Sequence, residues 1–133
     1  MNKKTLGFLI IAISLCFYGF AFAENEKDKA AKEFQQLKTD FETEISYPPY
    51  SEYIFTNKYW DSESGQKIIA MGKRALPFIM EEIKSGKSWF VVAAERITGI
   101  KMRGPEADDL TEQWLDWWEE NKEAEWKKSG QLE

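Results

Sequence analysis

Apolar residues recur at helical spacing along most of this chain, and no convincing pair of strands stands among them. Residues 24–46 are rich in Lys, Glu, Gln and Ala, which are good helix formers. Within them Phe34, Leu37, Phe41 and Ile45 follow one another at +3, +4 and +4, one narrow apolar stripe. The run ENEKDKAAKE before Phe34 is too polar to require packing, so these first turns are expected to fray or to act as a tether. Pro48-Pro49 ends this helix.

A second helix is predicted over about 62–71, with Asp61 or Ser62 as N-cap, Ile68, Ile69 and Met71 on its apolar side and Gly72 at its end. A third is predicted over about 74–85. Ala75, Leu76, Ile79, Met80 and Ile83 share one face, and Pro77 places the start nearby, because proline is tolerated only in a first turn. Glu81 and Glu82 are expected to face outward, and Gly86 follows the end. Residues 88–98 are ambiguous alone. Trp-Phe-Val-Val suits a buried strand, Ala-Ala-Glu-Arg a helix. The lack of a partner strand decides for a buried helix, stopped by Gly99. Gly104-Pro105 marks a loop, and a last helix is predicted over about 107–122 with Asp108 and Asp109 near its positive end. Leu110, Trp114 and Trp117 form one row, with Trp118 and Leu115 beside it, and 123–133 read as a polar tail.

The stretch 47–60, YPPYSEYIFTNKYW, holds six aromatics without helical spacing. Because aromatics mostly bury, it is expected to form an extended arm packed over the core. The alternative is an aromatic surface for a ligand. The fold class is therefore all-α. The short connections 72–74, 86–87 and 99–107 imply that successive helices pack antiparallel or nearly so.

The first residues carry an address. Lys3 and Lys4 precede an uncharged apolar stretch from Leu6 to Phe22, which ends in Ala21-Phe22-Ala23 before the charged run from Glu24. This is the pattern of a signal peptide cleaved after Ala23, and it implies a periplasmic or secreted protein. The apolar stretch exceeds the usual 7–15 or so residues, so an uncleaved anchor in the inner membrane stands as the alternative. Cys16, the sole cysteine, follows Leu15 rather than a small residue. That counts against a lipid-attachment site and leaves Cys16 as an apolar member of the segment.

Removal of residues 1–23 leaves 16 basic against 23 acidic side chains, a net −7, and no cysteine. The acidic balance disfavours nucleic acid and anionic membrane as partners. Without disulfides an exported chain depends on its core. The whole chain has no histidine, which excludes a Ser-His-Asp triad, a Cys-His pair and a His-ligated metal.

Residues 60–122 resemble the small HEAT-like (armadillo-type) helical proteins of bacteria. The pieces that carry the resemblance are Ile68-Ile69-Ala70-Met71-Gly72, Ala75-Leu76-Pro77-Phe78-Ile79, Trp89-Phe90, Ile97-Thr98-Gly99 and Trp114-Leu115-x-Trp117-Trp118 with Asn121. The resemblance implies two antiparallel helix pairs stacked as in an α-solenoid, a general role in protein–protein contact, and no catalytic residue. Two pairs are fewer than the three or so repeats a solenoid usually needs, which makes the helix bearing Phe34–Ile45 the natural cap for one open end.

No motif specifies chemistry. Gly86-Lys87-Ser88 ends like a phosphate-binding loop, but position 81 is Glu where that loop needs Gly, and a helix precedes it in place of a strand. Glu95, inside an apolar helix, is a candidate general acid for a small hydrolase. More plainly, it pairs with a basic residue of a neighbouring helix while Arg96 stacks on Trp89. The acidic groups at 81–82, 108–116 and 119–123 read as solvated helix faces, with no calcium-loop pattern. The sequence thus points to a non-enzymatic interaction or scaffolding module with no cofactor and no metal. Its partner would be an unidentified protein of the cell envelope, with membrane contact only through an uncleaved first segment. The candidate surface is Trp114, Trp117, Trp118, Tyr50, Tyr53 and Tyr59, because one helix cannot easily bury all three indoles. A cell-wall or glycan-binding module using exposed aromatics near Tyr50, Tyr53, Tyr59 and Trp118 is the second hypothesis.

Overall fold

The computed structural model describes residues 25–104 and 107–128. The expectations for residues 1–23, and for the part of the tail beyond Lys128, lie outside the described residues. Among those described there are five α-helices and no strand, so the protein is all-α. The helices are α1 (Glu26–Ile45), α2 (Glu63–Ala70), α3 (Leu76–Lys84), α4 (Val91–Thr98) and α5 (Ala107–Lys128). Four short 3-10 turns, Tyr50–Glu52, Thr56–Asp61, Gly72–Ala75 and Ser88–Phe90, fill most of the connections. No described helix is long and apolar enough to cross a membrane.

Local chemistry sets the boundaries. The Asn25 side chain accepts the Asp28 backbone N–H at 2.9 Å and starts α1. Ser62 does the same for α2, accepting from Gly65 at 3.1 Å. Pro77 sits in the first turn of α3. Gly99 closes α4 at φ 74°, a left-handed conformation that costs a side-chain-bearing residue about 1–2 kcal/mol, and its N–H reaches the Glu95 carbonyl at 2.8 Å.

α1 packs on α2, α2 on α4, and α3 on α4 and α5. The core they enclose is built around touching rings. Phe41 stacks on Trp60 at 4.4 Å between centroids, and Trp60 meets the face or edge of Phe90 at 5.1 Å. Phe34 stacks on Phe78 at 5.5 Å and lies 6.4 Å from Phe90. Ile68, Ala75, Leu76, Ile79, Met80 and Ile83 share this buried interior.

Three expectations are revised. The first turns of α1 are ordered helix, because Ala30 is buried and Arg74 donates to Glu33 at 2.5 Å. Glu82 turns inward: Lys38 lies 2.8 Å and Lys87 3.3 Å from its two oxygens, and Lys87 also bonds Glu42. This alternating chain of four charges rivets α1 to the end of α3. α5 continues past residue 122 to Lys128, supported by the Lys122–Glu119 pair and by a Lys73–Glu125 bridge of 2.5 Å to the body.

Glu44 joins α1 to the start of α2. Its two oxygens accept the backbone N–H groups of Glu63 at 3.1 Å and Ser64 at 3.0 Å, where the helix presents its positive end. Partial burial pushes its pKa up. The hydrogen bonds from Ser64 and Glu63 and the charge of Lys67 outweigh that and hold it below its ordinary 4.5. A carboxylate with a depressed folded pKa contributes stability above its unfolded value, and the contribution is lost as pH falls through the folded value. Glu44→Gln therefore lowers the Tm at neutral pH, and the gap to wild type closes on acidification below about pH 4.5. A gap of constant size from pH 7 down to pH 3 on thermal melts tells against this role.

Candidate functional site

Only one of the six aromatics between residues 47 and 60 is fully buried. Trp60 lies in the core and donates its indole N–H to the Trp89 carbonyl at 2.9 Å. Tyr59 and Tyr50 are half-buried, Tyr59 packing against the core. Tyr47, Tyr53 and Phe55 project into solvent together with Ile54, at 65, 40, 73 and 90% exposure respectively. The extended arm expected here is instead a pair of 3-10 turns carrying an apolar lobe, Tyr47–Phe55.

Backbone bonds give the lobe its shape. The Ser51 N–H returns to the Tyr47 carbonyl at 3.2 Å, and the Glu52 and Tyr53 N–H groups reach Pro49 and Tyr50, each at 3.1 Å. The Pro48–Pro49 peptide is cis. Tyr50 and Tyr53 meet edge to face, 5.9 Å apart at 73°. Beyond Phe55 the chain is pinned again. Arg96 of α4 holds the Asp61 carboxylate at 3.1 Å and the Asn57 carbonyl at 3.2 Å, and Trp60 enters the core. The exposed side chains thus stand on a base fixed at both ends.

The tryptophans of α5 are placed differently from the sequence expectation of a surface. Trp114 is fully buried and belongs to the core, so it is removed from the candidate surface. Trp117 and Trp118 are half-buried against the core, with Trp117 edge-on to Trp114 at 5.5 Å and 6.4 Å from Trp118. Of the sequence candidates, Tyr50 and Tyr53 lie together in the lobe, Tyr59 serves its base, and the three indoles cluster on α5. Sequence reasoning missed Tyr47, Ile54 and Phe55. The signal available was that Ile54 and Phe55 are adjacent in a stretch without helical period, where no amphipathic face exists to bury both.

The remaining candidates resolve into structural roles. Arg96 pairs with Asp61, and the Glu95 carboxylate lies 4.0 Å from Lys101, in the segment just after α4 and not on a neighbouring helix. Lys87 of the Gly-Lys-Ser run is held in the ion-pair chain described above. Hydrogen bonding to Glu42 and the nearby charges of Glu82 and Glu42 raise its pKa against the opposing effect of burial. Asp109, Glu112 and Asp116 line a shallow hollow with Arg103 and Gln113, and all three carboxylates are exposed. Among the described residues no group of three or more potential metal ligands converges. No protein-family model, curated protein or solved structure matches this chain.

Proposed function

We propose that the protein is a non-enzymatic interaction module acting outside the cytoplasm, and that it binds through the Tyr47–Phe55 lobe. One observation carries the reading: four large apolar side chains stand exposed together on a base anchored by Trp60 and Arg96. Several large apolar side chains left exposed within one short segment of a folded protein mark an interaction site, and aromatic anchors contribute most to binding. The signal-like first residues support export. The order of helices and of the Ala-Leu-Pro and Ile-Thr-Gly pieces supports the HEAT-like reading of residues 60–122. The glycan reading stands second: the edge-to-face contact of Tyr50 and Tyr53 occupies one ring face, while Tyr47 and Phe55 stay exposed.

The test compares the tagged full chain with its Ile54→Ser/Phe55→Ser variant as baits in envelope extract. Wild type is expected to hold a defined protein that the variant releases, with both baits melting within a few degrees of each other, because solvent-facing substitutions usually change stability by about 0.5 kcal/mol or less. Equal recovery by both baits, or release of the bound material by soluble glycan, counts against the reading.

A further inference from the structure

We infer that the occupant of the Tyr47–Phe55 lobe is a second copy of this chain, docked lobe to lobe about a two-fold axis. The inference rests on the lobe being a protein-binding surface and names the partner. Area is the first argument. An aromatic side chain offers about 150–250 Å². At the exposures of Tyr47, Tyr53, Ile54 and Phe55, the lobe presents on the order of 500 Å² of apolar surface. A two-fold contact uses the same patch on both copies and so buries up to about 1,000 Å², the lower limit for a specific interface and the size of a weak, reversible dimer. One patch is then enough.

Charge is the second argument. Two copies of a chain with 23 acidic and, from residue 24 onward, 16 basic side chains repel each other over most of their surface. Residues 46–57 hold a single ionised side chain, Glu52, and no cation. The lobe is therefore a place where two acidic copies meet with little repulsion. It also offers almost nothing to steer in a partner of opposite charge. A bilayer is the poorer occupant: from residue 24 onward the side chains sum to a net −7, which an anionic lipid surface repels, and residues 46–57 offer no cation to hold a headgroup.

The test places a photo-crosslinking benzophenone amino acid at position 54, in place of Ile54, in the full chain, and irradiates intact cells. The expected product is a covalent species of twice the chain's mass, whose cross-linked peptides map to 47–55 of a second copy. Phe55→Ser added to the same chain should reduce that product at least tenfold. Light scattering on the purified chain should give twice the monomer mass, falling to one in Ile54→Ser/Phe55→Ser with the far-UV circular dichroism spectrum unchanged. An adduct to a different protein, with monomeric mass throughout, overturns the dimer and leaves the interaction reading standing. Adducts to lipid alone, or no adduct with monomeric mass, overturn both.

Discussion

Trp60→Ala should lower the unfolding free energy by about 3–5 kcal/mol, the cost of emptying a buried tryptophan site. The indole is fully buried, stacked on Phe41 at 4.4 Å and against Phe90 at 5.1 Å, so its removal opens a void lined by rings from two other elements. Few neighbours can collapse into it, since Phe41 is held by α1 and Phe90 by the turn before α4. Trp60→Phe separates the two contributions of the residue. It keeps an aromatic ring in the stack but strips the N–H from the Trp89 carbonyl, at a cost of about 1–3 kcal/mol. Urea denaturation followed by far-UV circular dichroism should order the three proteins wild type, Trp60→Phe, Trp60→Ala. Equal stability of the two variants would mean that the hydrogen bond, not the ring, holds this point of the core.

Gly65→Ala should also destabilise, by a net of up to about 2 kcal/mol, although it exchanges the poorer helix former for the best. Helix propensity favours alanine by about 1 kcal/mol. Against that, a β-carbon at position 65 would lie 2.9 Å from Ser62 Oγ and 3.0 Å from both the Trp60 α-carbon and the Tyr59 carbonyl oxygen. Two of these are backbone atoms tied to the Trp60 anchor. Ser62 is itself buried and committed, donating to Tyr59 at 2.6 Å while accepting from Gly65. Overpacking of this kind costs about 1–3 kcal/mol, so the clash wins. A Gly65→Ala protein more stable than wild type in the same denaturation experiment would show that the turn before α2 yields freely.

The helices were legible because each carries its own punctuation. Ser62, Pro77 and Gly99 mark ends by local chemistry, and the face Ala75, Leu76, Ile79, Met80, Ile83 is buried at every position. The stripe of α1 was legible too, although it begins a turn earlier than the large side chains suggest, at Ala30. What stayed hidden depends on partners distant in sequence. Glu82 turns inward only because Lys38 and Lys87 meet it, and α5 runs on to Lys128 with Lys73 reaching Glu125. The exposure of Tyr47, Ile54 and Phe55 was the least legible feature. These residues lie in bends on either side of the Tyr50–Glu52 turn, where the chain has no repeating period, so composition alone argued for burial where the backbone path gives exposure.

The ring cluster of the core draws on positions 34, 41, 60, 78 and 90. None of these aromatics finds its full set of neighbours within its own helix. A chain emerging from its N-terminus therefore has no half-built interior in which to hide Phe34 and Phe41 until Phe90 is also free to join them. Folding must wait for long-range closure, which leaves those rings uncovered in the meantime. By the same geometry, α1 is less a lid on a finished body than a founding member of it, and residues 60–128 would be left with an unfilled flank if they were cut out on their own.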